Sequence, residues 1–528
     1  MQITVILAIF MALLVGETVA SQDVPSWLAP RGVGECLAFL VGSLLLAASL
    51  FRILVRSALV RLRRSDRPTA GGLRLPGRID ALLRLMILLV YASQLTRAGW
   101  AWLIYVRWNL NRFILVDELL LLLPFVLLML LYWYCYYPVN RHVREQIMMG
   151  QLVEGLATRP VWSRRQYILF QLRGGLLILL APIVLILGFR DLVDLVRIRW
   201  LPQTNWVMLA SELVVLLGVA VIFILAPCLL RYIWLTRSLP GGPLRRRLEG
   251  FCRRMRLTCR DILLWDTYSA VANAAVMGIF SRIRFVLLSD ALIENMRDEE
   301  IEAVFGHEAG HVRHHHILYL VLFVLGSGSL VVLASEGFAW QLQQVWPAGP
   351  AWDRYGQWAV SGWFIGMLIL WILLFGWVSR RFERQADLHG ALMVDRSGVR
   401  LNDDDPAGPD TGDSVRSDVR PDPMAEDLSG ETETRAHSAR TYALGVIGAR
   451  IFGTALMRIA LLNGLSPDAH SWRHGSIRHR VLFLQELADR PARLRGFRRR
   501  MALLKGLILV AAAVGLAGSV WFYYRFGG

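Results

Sequence analysis

The stretch His307-Glu308-Ala309-Gly310-His311 has the residue types and spacing of a metal-dependent hydrolytic site. Residues i and i+4 of a helix share one face, so both imidazoles can bind a single Zn²⁺ ion. Glu308 can then accept a proton from water that the metal activates. Acidic residues at positions 298–300 favour a helix that begins just before the motif, because negative charge stabilises a helix N-terminus. HExxH alone is only moderately specific.

A catalytic zinc site needs three protein ligands and one open position, so one more ligand is required. Glu383 is the candidate, within the stretch Ser379-Arg380-Arg381-Phe382-Glu383-Arg384-Gln385-Ala386-Asp387. Asp387 follows one helical turn later and could accept a hydrogen bond from a ligand imidazole. The sequence therefore predicts one zinc per chain, bound by His307, His311 and Glu383.

Two apolar runs, Ile317 to Ser335 and Tyr355 to Val378, separate the two motifs. At ~1.5 Å per residue, each run is long enough to cross a ~30 Å hydrocarbon core as a helix. Together they predict a transmembrane hairpin that returns Glu383 to the membrane face where the histidines lie.

The composition of the whole chain favours a membrane protein. Of its 528 residues, 55% are hydrophobic and 19% are charged, and the mean hydropathy is +0.44. This balance excludes an ordinary soluble protein, because the apolar residues gather into uncharged runs about as long as a bilayer is thick. The net charge of +17 reflects arginines beside these runs, which is typical of cytoplasmic loops and not of a nucleic-acid-binding protein.

Further spans are predicted along the chain. The stretch Leu82 to Val106 is weaker, because it contains Arg84 and Arg97. The first 20 residues resemble a signal peptide without a basic region, and are either cleaved or form a first span. The clear spans outside the hairpin are Leu37 to Val55, Leu119 to Tyr137, Tyr167 to Phe189, Trp206 to Leu230 and Gly506 to Tyr524.

Loop charge predicts the orientation. Arg-rich segments at 56–78, 141–165, 237–260 and 380–500 are expected on the cytoplasmic side, which places the zinc motifs there. The segment Leu401 to Arg435 holds eleven acidic and three basic residues with several Pro and Gly. It has too little apolar surface to fold alone and is interpreted as a disordered insert. A solvated loop is the favoured interpretation, and a regulatory or docking segment is the alternative. The five cysteines predict no disulfide framework.

The motifs resemble those of the integral-membrane zinc metallopeptidases that include the type I CAAX prenyl endopeptidase and the HtpX heat-shock protease. The resemblance covers roughly Asp261 to Leu487 and is strongest at HEAGH and SRRFERQAD. It implies a cytoplasmic zincin-like peptidase domain. The stretch from Asn273 to Gly278 is similar to the family's edge strand, so Asn273 and Ala274 are expected to bind extended peptide by strand addition.

The segment His474-Gly475-Ser476-Ile477-Arg478-His479-Arg480 is similar to the family's His-Pro-Pro segment ending in Arg. The resemblance implies that His474 stabilises the oxyanion and that Arg480 orients groups nearby. Gly475 stands where the family has Pro, and His479 where an acidic residue is common. The three histidines His314 to His316 are interpreted as solvated interfacial residues, with a second metal site as the alternative.

The sequence thus predicts a mostly α-helical polytopic bundle of about eight or nine spans, with a peptidase domain split by the hairpin. The expected activity is zinc-dependent cleavage of membrane proteins or hydrophobic peptides in a lipid bilayer. The alternatives are a zinc transporter or sensor that binds the metal without hydrolysis, and an inactive protease-like scaffold. The expected location is the cell membrane, and oligomeric state is left open. The predicted segments are 1–20 (signal-like or first span), 21–235 (bundle), 236–316 (first peptidase part), 317–378 (hairpin), 379–400 (second peptidase part), 401–436 (acidic insert), 437–500 (C-terminal peptidase part) and 501–528 (last span).

Overall fold

The computed structural model describes residues 2–20, 32–64, 74–202, 204–346, 355–396 and 444–526. The predicted acidic insert lies outside these residues. The described chain is mostly helical, as the sequence predicts, with one small sheet beside the HEAGH motif.

The first part of the chain is a helical bundle with a large aromatic core. Phe51, Tyr91, Phe125, Tyr132 and Trp133 are almost completely buried in it. The first helix also belongs to this bundle, because it buries apolar side chains in the same core. The helices are α1 (Gln2–Ala20), α2 (Val33–Arg64), α3 (Arg74–Thr96), α4 (Val116–Val153), α5 (Arg164–Trp200, which includes a short π-helical segment) and α6 (Asn205–Ile233).

A four-stranded sheet follows the bundle, with strand order β1-β2-β4-β3. Strand β2 pairs in parallel with β4, and the other two pairings are antiparallel. All five residues of β4 are buried, as is typical of a strand whose first four residues are large and apolar. The elements are β1 (Thr236–Ser238), α7 (Pro243–Arg254), β2 (Asp261–Trp265), β3 (Ala274–Met277), β4 (Phe285–Ser289) and α8 (Asp290–Asn295).

The remaining helices carry the two predicted metal motifs and the hairpin between them. HEAGH lies near the end of α9, and Glu383 lies in the second half of the long helix α11. The helices are α9 (Asp298–Arg313), α10 (His316–Val345), α11 (Gln357–Arg396), α12 (Val446–Leu462), α13 (Ile477–Asp489) and α14 (Pro491–Phe526).

Glycines let α9 and α11 approach closely enough to share a site. A Cβ atom added at Gly390 would lie 2.7 Å from the carbonyl oxygen of Ala303 and 2.9 Å from the backbone nitrogen of His307. One added at Gly310 would lie 3.1 Å from the Cα atom of Ala386. Since contacts this short are not tolerated between a side chain and backbone, glycine at these positions sets the distance between the two motifs.

Eight of the described helices are long and apolar enough to cross a membrane, and the chain is a multi-pass membrane protein. They include the hairpin and every clear span that the sequence predicts.

The weakly predicted span is also among these helices, but its bounds differ from the prediction. It covers Leu75–Thr96, and not Leu82 to Val106. Arg84 is accommodated because it pairs with Asp80 at 2.5 Å on the same helix. The predicted boundary was wrong because this pair allows the helix to begin earlier, while Gly99 in the left-handed region interrupts it after Thr96.

Candidate metal centre and active site

Three predicted ligands from two helices converge where α9 packs against α11. His307 Nε2 lies 3.2 Å from His311 Nε2 and 3.6 Å from Glu383 Oε2. His311 Nε2 lies 3.7 Å from Glu383 Oε1. Ligand atoms around a tetrahedral zinc ion are about 3.3 Å apart, given bond lengths near ~2.0–2.1 Å. The donor set and its spacing therefore fit a metal ion, and His307 and Glu383 are buried.

The start of α9 is fixed by the acidic residues that the sequence analysis placed there. Arg247 of α7 pairs with Glu302 at 2.8 Å, with Glu299 at 2.9 Å and with Asp298 at 3.1 Å. Glu300 accepts a hydrogen bond from the backbone N–H of Arg297, which satisfies one of the free donors at the helix start. These contacts fix α9 against α7 and so set the direction in which both histidines project.

The outer nitrogen of His307 faces a buried charged pair. His307 Nδ1 lies 2.8 Å from Oδ1 of Asp387, whose side chain is completely buried. Arg480 donates to the same carboxylate from Nε at 2.8 Å and from Nη2 at 2.5 Å. Burial opposes protonation of His307, but Asp387 outweighs it and raises the pKa of the imidazole. A carboxylate at Nδ1 orients the ring and leaves Nε2 to the metal.

The outer nitrogen of His311 faces a third histidine. His316 Nδ1 lies 3.0 Å from His311 Nδ1, and His316 Nε2 lies 2.9 Å from the side-chain oxygen of Gln385. Because that oxygen only accepts, His316 carries its proton on Nε2 and accepts at Nδ1 the proton of His311. Burial and the neighbouring His307 lower the pKa of His311 to about 4, so the ligand is neutral.

His316 is held in place by packing as well. Its ring stacks on Phe382 with centroids 4.6 Å apart and an interplanar angle of 1°, and it is 1% exposed. The interpretation of His316 as a solvated interfacial residue was therefore wrong. His315 is exposed and adopts φ 54, a turn that allows α10 to begin immediately after α9 and brings His316 back to His311. The sequence analysis did not identify His316 or Gln385 as residues of the site. The one available signal was the position of Gln385 between Glu383 and Asp387.

Glu308 is placed for proton transfer. Desolvation raises the pKa of its carboxyl above the ordinary value, and His307 partly opposes that shift. The carboxylate accepts a hydrogen bond from the backbone N–H of Val276 in strand β3. A carboxyl with a raised pKa, beside two imidazoles and a strand edge, can exchange a proton with a bound reactant.

His474 and Arg480 come from the C-terminal part of the chain to the same centre. His474 Nδ1 lies 3.0 Å from Glu383 Oε2, and its side chain is 50% exposed. Arg480 Nη2 lies 3.8 Å from the same oxygen. The two residues flank a turn with Gly475 at φ 76, a left-handed conformation that glycine adopts without strain. His474 thus borders the open side of the site, whereas Arg480 supports it from within.

Asn273 and Ala274 lie where the predicted edge strand begins. Strand β3 is at the edge of the sheet and pairs only with β4 among the described strands. Asn273 is exposed, and its backbone exchanges hydrogen bonds with Ser289 at 2.9 and 3.0 Å. Strand β4, which pairs with β3, passes directly into α8.

Comparison with known proteins agrees with this geometry. Residues 250–403 match the model of Peptidase family M48. A relative named Protease HtpX homolog, from Albidiferax ferrireducens, is 28% identical over 142 residues, which are 26% of this chain and 48% of that protein. One from Bacteroides fragilis is 28% identical over 181 residues, 31% of this chain and 55% of that protein. The CAAX prenyl protease 1 homolog of Arabidopsis thaliana is 35% identical over 89 residues, 16% of this chain and 21% of that protein.

The crystal structure of S. mikatae Ste24p aligns with 86% of this chain and 100% of that chain, at 12% identity and a TM-score of 0.41. The chain spans about half the length of the HtpX relatives that it matches. The matched family region contains HEAGH and Glu383, whereas His474 and Arg480 lie beyond it. The resemblance to membrane zinc metallopeptidases that the motifs indicated is confirmed.

Proposed function

We propose that this protein is a membrane-embedded zinc endopeptidase that cleaves membrane-associated or hydrophobic protein substrates. The observation that carries the proposal is the convergence of His307, His311 and Glu383 beside Glu308, inside the region that matches a peptidase family. The names of the HtpX and CAAX prenyl protease 1 relatives support the same class of reaction.

One zinc ion per chain, held by His307, His311 and Glu383, would supply Lewis-acid polarisation of a carbonyl oxygen and would acidify water toward a pKa of ~7. Glu308 takes the proton of the attacking water on a carboxylate oxygen and delivers it to the leaving amine. Desolvation raises the pKa of Glu308, which makes its carboxylate a stronger proton acceptor. Asp387 and His316 hold the ligand imidazoles in the required tautomers.

The residues around the centre suggest how a substrate is held. An extended peptide adds to the free edge of β3 from Ala274 onward, with the exposed Asn273 side chain beside it and its scissile carbonyl between Glu308 and His474. His474 donates a hydrogen bond to the carbonyl oxygen as that oxygen gains negative charge. Arg480 acts through Asp387 and not on the substrate. His474 is half exposed, so the centre can be reached from solvent on that side, as cleavage of a protein substrate requires.

The Glu308→Gln variant tests the reaction. It removes the base but no ligand, so zinc content should remain near one per chain while cleavage of a labelled casein falls by orders of magnitude. A chelator should abolish activity of the unmodified protein, and added zinc should restore it. Near-normal turnover by the variant, or activity that resists the chelator, would reject the mechanism. Zinc retained without any hydrolysis by the unmodified protein would favour a transporter, a sensor or an inactive scaffold.

The active site is proposed to face the cytoplasm from the cell membrane, on the basis of the arginines beside it. Single cysteines at Gln344 and Thr411, in a chain without native cysteines, can be labelled from outside intact cells with an impermeant thiol reagent. Gln344 should label and Thr411 should stay protected. The reverse pattern would place the site on the outer face.

A further inference from the structure

A cavity of about 570 Å³ lies on the opposite face of α11 from Glu383. At 100° per residue, Gln385, Leu388 and Leu392 project away from the metal ligand. The cavity is completed by the end of α7, the end of α9 and the start of α14. Its volume falls within the ~300–1,000 Å³ that is usual for small-molecule sites. We call it the arginine cavity, after the basic residues that line it: Arg254, Arg256, Arg313, His314, His389 and Arg498.

The charged residues in the lining of the arginine cavity are basic. Among the described residues, none that lines it is acidic. Arg254 lies 3.7 Å from Glu302 outside the lining, but no ion pair joins Arg256 or Arg313 to any described residue. Both of these guanidinium groups belong to exposed residues. The guanidinium groups of Arg256 and Arg313 line one cavity without a carboxylate partner among the described residues, and such groups are suited to bind phosphate through paired hydrogen bonds.

The position of the cavity indicates the source of that phosphate. Arg313 and His314 immediately precede α10, and Phe497 and Arg498 lie in α14, and both helices are candidate membrane spans. Lys505 of α14 donates to the carbonyl oxygen of His314 at 2.9 Å, which ties the two helices together at this level. Phosphate groups of lipids lie at such helix ends, and cationic residues there attract anionic lipids.

The lining also contains apolar surface beside the arginines. Leu388, Leu392 and Phe497 are buried and face the same cavity. A free phosphate ion would gain nothing from contact with this apolar surface, whereas the glycerol and upper acyl chain of a lipid would bury apolar area against it. The geometry therefore points to a binding site for the phosphate of one anionic phospholipid in the arginine cavity, behind the proposed zinc site.

Arginines are expected at this membrane face from the topology alone. The experiment must therefore distinguish a specific lipid site from nonspecific attraction of anionic lipid to a basic surface. The purified protein in a neutral detergent is titrated with short-chain phosphatidylglycerol or phosphatidylcholine, and bound lipid is counted by native mass spectrometry. The test variant is Arg256→Gln/Arg313→Gln. The matched control is Arg237→Gln/Arg282→Gln, which removes two exposed arginines elsewhere on the same side. Elution volume and zinc content report whether each variant is folded.

One phosphatidylglycerol should bind at least about tenfold more tightly than phosphatidylcholine. The test variant should weaken it by roughly 30-fold, since each basic residue near an anionic headgroup contributes about fivefold. The control should change binding little. Arg256→Lys/Arg313→Lys keeps the charge but loses the paired hydrogen bonds, so its affinity should fall between those of the unmodified protein and the Gln variant, which keeps the test decisive if the Gln variant does not fold. Equal affinity for both lipids, or equal weakening by test and control variants, would overturn the proposal. Displacement of the lipid by inorganic phosphate at similar concentration, or tighter binding of a glutamate-rich peptide, would overturn the lipid assignment.

Discussion

Charged residues on the two faces of α11 differ in whether they have charged partners. On the metal face, Asp387 is completely buried and bonded to Arg480, and Glu383 lies within 3.0 Å of His474. On the other face, Arg256 and Arg313 meet no carboxylate among the described residues. The metal face is internal to the packed helices, whereas the arginines remain in contact with water.

The difference follows from the cost of removing a charge from water. A buried carboxylate is stable only if cations and hydrogen bonds compensate for lost solvation, so each group on the metal face has a fixed partner. A solvated guanidinium needs no such partner and stays free to bind a ligand. Substitutions on the metal face should therefore have large effects on the zinc site, and matched substitutions on the cavity face should have small ones.

Loss of a ligand should give the largest contrast. Glu383→Ala leaves two imidazoles, which is too few for a catalytic zinc site, and should remove most zinc and all measurable hydrolysis. Arg313→Gln, at the end of the helix that carries both histidines, should keep zinc and activity within about twofold, as is usual for exposed positions away from the site. Metal analysis and casein cleavage measure both. Undiminished zinc in Glu383→Ala would reject this residue as the ligand.

The buried pair beneath His307 should give the next largest effect. Arg480→Gln leaves the Asp387 carboxylate buried without its cation and should destabilise the fold by about 3–5 kcal/mol, with weaker zinc binding. Arg478→Gln on the same helix removes only a solvent-exposed pair with Asp468 and should cost less than about 1 kcal/mol. Denaturant unfolding compares the two variants. Equal losses of stability would show that the pair with Asp387 is no more important than a surface pair.

The contact that orients His311 should have a moderate effect. His316→Phe keeps a flat ring on Phe382 but removes the nitrogen that faces His311, and should weaken zinc binding by about 10- to 100-fold. His315→Asn suits as a control, because His315 is exposed and asparagine tolerates its left-handed conformation. Zinc affinity is measured by competition with a chelator of known affinity. Unchanged affinity in His316→Phe would make His316 a packing residue only.

The smallest effect is expected from the acidic insert, which contains none of the proposed site residues. Deletion of Leu401 to Arg435 should leave folding, zinc content and casein cleavage unchanged, because its composition cannot support a folded core. Circular dichroism, metal analysis and the casein assay test this together. If zinc or folding is lost, the insert must stabilise the catalytic centre. A change in substrate preference alone would indicate a regulatory role.

Much of the metal face was predictable because its information is local or periodic. The spacing of His307 and His311 fixes their common face on any helix, and that of Glu383 and Asp387 does the same on α11. The hairpin follows from two apolar runs of sufficient length, and these predict that both motifs return to one side of the membrane. The membrane class, the hairpin and the grouping of His307, His311 and Glu383 could thus be predicted from residue order alone.

Only the tertiary structure showed which side chains that are far apart in the sequence contact each other. Arg480 reaches Asp387 from 93 positions away, and Gln385 reaches His316 from 69 positions away. The close approach of α9 and α11 at Gly310 and Gly390 and the left-handed turn at His315 make these contacts possible, and neither constraint shows in a hydrophobic pattern. The arginine cavity likewise exists only where the ends of several helices meet. Residue order determined which chemistry the chain contains, whereas packing determined which charges are compensated, because compensation depends on distances in space.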